Sequence, residues 1–136
     1  MAELLVPISP GELIDKITIL EIKSQRITDP AKLANVRTEL AMLKETWSAS
    51  AWSAIDIGAE WTGLRDVNAQ LWDIEDRIRD KERDSQFDAV FIELARAVYV
   101  TNDERAALKR RINTRLGSAL VEEKSYADYR KIVTSG

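Results

Sequence analysis

The chain has 136 residues, 45% of them apolar and 32% charged, a net charge of −3, and neither cysteine nor histidine. This composition excludes disulfides, thiolate chemistry, a histidine acid–base and the usual zinc ligands. Catalysis would run on carboxylates, Lys, Arg, Tyr or hydroxyls, and any metal would be a hard cation held by oxygen.

The acidic balance offers nucleic acid no global attraction. The N-terminal run, with Glu3 in it, is too short and too acidic for a signal peptide, and no stretch approaches the ~20 apolar residues of a membrane span. We therefore expect one cytoplasmic all-α domain over residues 1–136, an up-and-down bundle of four to five helices, with no metal and no cofactor.

Residues 3–8 read as extended. Ser9, Pro10 and Glu12 then announce a helix: Ser9 caps, proline suits the first helical position, and Glu12 three residues on closes a capping box. This helix runs to about Ile27 with Leu13, Ile14, Ile17 and Leu20 on its apolar face. Asp29-Pro30 repeats the start signal for a second helix carrying Leu33, Val36, Leu40 and Leu43 as far as Trp47. Residues 48–58 form a loop or an irregular helix. A third helix runs from about Ala59 to Asp84, its seam Leu64, Val67, Leu71, Ile74 and Ile78 alternating steps of three and four, the pattern of helix against helix. Ser85 to Val100 reads as a fourth helix with Phe87, Val90, Phe91, Leu94 and Val98 inward. Thr101-Asn102-Asp103-Glu104 reads as a capping box opening a fifth, which stops at Gly117. The tail from Ser118 offers a short last helix through Tyr126 and Tyr129.

Several polar residues fall where core residues belong. At about 100° per residue, Glu21 lies among Ile14, Ile17 and Leu20. Asn68 and Glu75 edge the third helix's seam, with Trp61, Trp72 and Arg79 one step out. Arg105 lies within the inner face set by Leu108 and Ile112, and Lys109 borders it. Because a lone buried carboxylate costs several kcal/mol, Glu21 and Glu75 are expected to meet Arg105, with Asn68 and Lys109 completing the hydrogen bonds. Such a cluster either fixes the register of the bundle or lines a polar pocket.

Other features have plainer readings. Arg105, Lys109, Arg110, Arg111 and Arg115 make the last helix basic, which reads as a solvated face before it reads as a phosphate or carboxylate site. The carboxylate pairs Glu12/Asp15 and Asp73/Asp76 have helical spacing but project toward solvent, which argues against a metal. Ile19 and Ile22, opposite the main face of the first helix, await a cover from the N-terminal segment, residues 48–58 or a second copy. Trp47 and Trp52 read as lids on the core, while Trp61 and Trp72 can flank a pocket.

The run from Pro7 to Lys23, with Ser9-Pro10-Gly11-Glu12-Leu13-Ile14-Asp15-Lys16-Ile17 at its heart, resembles the start of a family of small bacterial proteins of unknown function. Val67 to Arg79, Asn102 to Asn113 and Glu122-Glu123-Lys124-Ser125-Tyr126 resemble the same family, so the likeness covers nearly the whole chain. It implies a neighbourhood of repeat and sugar-transfer proteins, and so a role near surface polysaccharide or glycosylation. Glu12-Leu13-Ile14-Asp15-Lys16-Ile17 is also similar to the first helix of all-α chorismate mutases. The arginine expected just before it is replaced by Ser9-Pro10-Gly11, and the likeness is read as a shared helical pattern.

Two functions compete. One is a binding or accessory module, monomer or homodimer, recognising a partner protein or an anionic small molecule. Its site would be Asn68, Trp72, Glu75 and Arg79 with Arg105, Lys109 and Asn113. The other is a metal-free enzyme on a small anionic metabolite, with Arg105 and Lys109 stabilising charge and Glu75 or Glu21 as acid or base.

Overall fold

The structure, a computed structural model, describes residues 3–123 and 126–130. It is an all-α bundle of four helices: α1 (Pro10–Arg26), α2 (Pro30–Ala49), α3 (Gly58–Arg83) and α4 (Ala89–Leu116). The start signals act as expected at the first two. Ser9 Oγ accepts from the Glu12 N–H and Asp29 Oδ2 from the Lys32 N–H, with proline at the first position of each helix. Residues 48–58 contain the end of α2 and a short 3₁₀ helix, Ala51–Ala54.

The largest departure lies at residue 101, where no new helix begins. Thr101 is buried inside α4, and the expected fourth and fifth helices are one helix of 28 residues. Asp88 caps its start, accepting from the Phe91 N–H, while Lys81 reaches back from α3 to Asp88. The chain reverses between α3 and α4 through Ser85, a left-handed residue at φ 53°. Phe87 and Val90, expected inward, lie at this tip and are exposed. At the other end Gly117 takes the left-handed conformation (φ 67°) that glycine adopts without steric cost, and α4 stops as expected. Among the described residues the tail carries no helix: residues 120–123 and 126–130 return along α4 without regular structure.

The contacts fix an up-and-down arrangement. Gly11, Glu12 and Asp15 of α1 meet Asn113, Lys109 and Arg105 of α4 in descending order, so these helices are antiparallel. Glu60 meets Arg115, and Gly63 faces Leu108, so α3 is antiparallel to α4 as well. The core lies where all four helices overlap: Leu13, Ile14 and Ile17 of α1, Ile57 and Leu64 around the start of α3, and Ile112 and Leu116 of α4. Leu40, Leu43, Trp47 and Trp52 close it from the α2 side, as lids. At 1.5 Å per residue α4 is about 42 Å long and α1 only about 26 Å. The paired far halves of α3 and α4 therefore project beyond α1 as a two-helix arm.

Helix α1 is buried on nearly all sides. Besides Leu13, Ile14, Ile17 and Leu20, it buries a second stripe of Gly11, Asp15, Thr18 and Ile22, again at steps of four, three and four. That answers the question posed by Ile22, which the bundle itself covers, and half-covers Ile19. Gly11 begins this stripe, and its N–H donates to Asn113 Oδ1 at 2.7 Å. A Cβ there would overlap the Lys109 carbonyl oxygen and sit 2.9 Å from Asn113 Oδ1. We expect Gly11→Ala to destabilise the protein by about 1–3 kcal/mol, as overpacking does. Gly63→Ala, which meets only the flexible end of Leu108, should cost less. Urea unfolding of the two variants measures the difference.

Candidate functional site

The buried polar centre is built around Asp15, whose residue has 0% exposure. Arg105 of α4 clasps it with two N–H groups: Nε donates to Oδ1 at 2.8 Å and Nη2 donates to Oδ2. Asn68 of α3 donates from Nδ2 to the same Oδ1 and to Thr18 Oγ1, both at 2.9 Å, and Thr18 donates its own proton to the Asp15 carbonyl. These bonds use both amide protons of Asn68 and fix which way the amide points. Hydrogen bonding to Asp15 holds the Arg105 guanidinium above its ordinary pKa, against the opposing effect of burial.

This centre corrects the expectation in three ways. Asp15, expected toward solvent, is the hub. Arg105 meets Asp15 and not Glu21 or Glu75. Glu21 lies elsewhere, accepting from the Trp61 indole at 3.0 Å and pairing with Arg65 at 3.7 Å. Glu75 pairs along its own helix with Arg79, and that pair is open to water. Asp73 is on the surface as expected, paired with Arg26, whose guanidinium lies over the Trp72 ring at 5.8 Å. Among the described residues no three carboxylates gather closely enough to hold a metal ion.

Lys109 is held one helical turn beyond Arg105. Its ammonium lies 2.6 Å from Glu12 of α1 and 2.6 Å from Glu122 of the returning tail. The Glu12 carboxylate, expected to close the capping box, is thus turned to α4. Burial pushes the Lys109 pKa down, but the bonds to Glu12 and Glu122 raise it above the ordinary value. Asn113 is spent on the Gly11 N–H.

Clefts open along α4 at Arg105 and at Lys109. One, of about 480 Å³, lies between α1, α3 and α4; Asn68, Trp72, Glu75 and Arg105 line it, with Ile19, Leu71, Asp76 and Asn102. Four of the expected site residues are brought together there. Trp61 is not among them; it packs edge-on against Trp47 at the margin of the core. Arg79 does not line this cleft, while Lys109 and Asn113 line another, of about 300 Å³, under the tail. The sequence reading missed Ile19, Asp76 and Asn102 as lining residues. The helical step does place Asp76 next to Trp72 and Glu75, and Asn102 one turn before Arg105.

Fold and site together define an all-α bundle protein with a buried aspartate–arginine–asparagine centre and a cleft above it. The chain belongs to a family of unknown function, DUF6165, whose family model matches residues 4–135. No match is found among curated proteins or among solved structures.

Removing Arg105 strands the Asp15 carboxylate without its cation. Arg105→Ala should therefore lower unfolding free energy by about 3–5 kcal/mol, whereas Arg79→Ala, which breaks an exposed pair, should change it by less than about 1 kcal/mol. Denaturant titration of both variants checks this. The raised Lys109 pKa gives a second expectation with a definite sign. Its contribution to stability is fully present below the unfolded value of 10.5 and is lost as pH rises through the higher folded value. Urea midpoints from about pH 9 to about pH 12 should fall more steeply for the native chain than for Lys109→Met.

Proposed function

We propose that the protein is a binding module whose recognition site is the cleft between α1, α3 and α4, and that its ligand is an anionic small molecule. The observation that supports this most is the state of Arg105. Asp15 takes two of its N–H groups and locks its orientation. Three of the five donors of an arginine remain, on a side chain that is 29% exposed and lines the cleft. A guanidinium fixed in advance loses little entropy when it grips a carboxylate or phosphate. The rest of the lining complements such a ligand: Trp72, Leu71 and Ile19 offer an apolar wall, and Asp76 and Asn102 can accept from hydroxyls.

The enzyme reading has less support. Glu21 is remote from this cleft, and Glu75 is turned to Arg79 at 3.2 Å. The location we propose is the cytoplasm of a bacterium; no helix of the described residues is long and apolar enough to cross a membrane. A connection to surface polysaccharide or glycosylation makes sugar phosphates and sugar nucleotides the first ligands to try, with small dicarboxylates beside them.

A thermal-shift screen against these compounds tests the reading. A ligand at about 100 times its Kd adds roughly 2.7 kcal/mol and a readily seen rise in Tm. We expect a hit that quenches Trp72 fluorescence and is lost in Trp72→Ala and Asn102→Ala, which leave the Asp15 centre intact. A hit that survives both substitutions contradicts this placement.

A further inference from the structure

The smaller cleft, of about 300 Å³, lies between α4 and the returning tail, and Lys109, Arg110 and Arg130 face it together with Asp103, Glu122 and Glu123. We propose that it is a second binding site, for a compact anion carrying a phosphate or carboxylate group, and that the Glu122 carboxylate occupies the anion's place on Lys109.

The two carboxylates on Lys109 are not equivalent. Glu12 is fixed on a packed helix, with its side chain 28% exposed. Glu122 stands on a segment without regular structure, and its side chain is 60% exposed. Turning Glu122 out to water therefore costs little buried surface of its own, and Lys109 keeps Glu12 as a counter-ion. Lys109 itself cannot follow, because its side chain is only 10% exposed. What a departing Glu122 leaves behind is a buried ammonium with one fixed counter-ion and one position facing the cleft.

Three cations, Lys109, Arg110 and Arg130, meet around that position, against Asp103, Glu123 and the fixed Glu12. Arg110 lies alongside, 3.4 Å from the Glu122 carbonyl oxygen and 3.6 Å from Glu123, both exposed contacts that can be exchanged. Arg130 faces the cleft from the tail, held in place by two hydrogen bonds to Asp128. A volume of about 300 Å³ is near the lower bound for ligand pockets and suits a compact anion, not an extended one. In this view Glu122 is a tethered competitor: it keeps Lys109 satisfied in the empty protein and sets the threshold an incoming anion must exceed. This site centres on Lys109 and not on Arg105, although a cleft lined by Asn102, Arg105, Lys109 and Glu122 adjoins both.

The test uses the full chain, with inorganic pyrophosphate and citrate as probes at constant ionic strength and backbone amide NMR shifts as the readout. Saturable shifts are expected at Lys109, Arg110 and Glu122 with at least one probe, and which probe saturates tells phosphate from carboxylate. Glu122→Gln should bind about two- to fivefold tighter, because the tethered competing carboxylate is gone. Lys109→Gln should abolish binding; should that variant fail to fold, Arg110→Gln, at an exposed position, should weaken it severalfold. Equal affinity in the native chain and Glu122→Gln overturns the proposal. So does the absence of saturable shifts in both, or shifts confined to Trp72 and Asn102, which would instead report the Arg105 cleft.

Discussion

A carboxylate with no access to water, in the second turn of the first helix, constrains everything packed around it. Taking a charge of that size out of water costs several kcal/mol, and only close, well-directed donors offset it. Asp15 obtains them from two other helices: a bidentate arginine from α4 and an amide from α3. The demand can be met in one register only. A slide of α4 by one residue turns Arg105 away by about 100° and leaves the carboxylate unpaired. The hydrophobic contacts of Ile14, Ile17, Leu64 and Ile112 supply the driving force for collapse but tolerate small shifts. The polar centre adds a directional constraint that these contacts lack.

The same constraint shapes the surface. Arg105 serves Asp15 with one edge and lines the cleft with the other, so a residue needed for the fold is also the one best placed to meet a ligand. One helical turn away, Lys109 repeats the pattern with Glu12 inside and Glu122 outside. Beyond Lys109 the close approach of α1 to α4 depends on Gly11, where the absence of a side chain lets the Lys109 carbonyl and Asn113 reach the start of α1. Through Gly11, Glu12 and Asp15 the start of α1 meets α4 with small or polar residues, while Leu13, Ile14 and Ile17 enter the aliphatic core. Rigid helices, not loops, position every group lining the Arg105 cleft.

Much of this was legible in the sequence. Helical spacing placed Asn68 and Arg105 inside, and the proline-led caps fixed where α1 and α2 begin. The partner of Arg105 does not follow from the assumption that α1 has a single apolar face, Leu13, Ile14, Ile17 and Leu20, because Asp15 lies about 160° from Ile17. That assumption suits a helix at the edge of a bundle. Here α1 touches α2, α3 and α4, and the sign of its central place was the second stripe, Gly11, Asp15, Thr18 and Ile22. The false break in α4 has a similar cause. Thr101 and Glu104 match a capping box, but Leu94, Val98, Thr101, Arg105, Leu108 and Ile112 continue one seam in unbroken phase. No proline or glycine interrupts it. Periodicity over about five turns outweighs a local four-residue signal. The tail pairing of Glu122 with Lys109 left no trace in spacing, because an irregular segment has no period to read.

The central claim is that Asp15 holds Arg105 in a fixed, buried ion pair, and the most direct measurement is of the Arg105 side chain itself. NMR of the full chain, observing arginine Nε–H groups, should show one strongly shifted and slowly exchanging signal that disappears in Asp15→Asn. An Arg105 Nε–H that exchanges as fast as those of Arg79 and Arg83 on the surface would contradict the account.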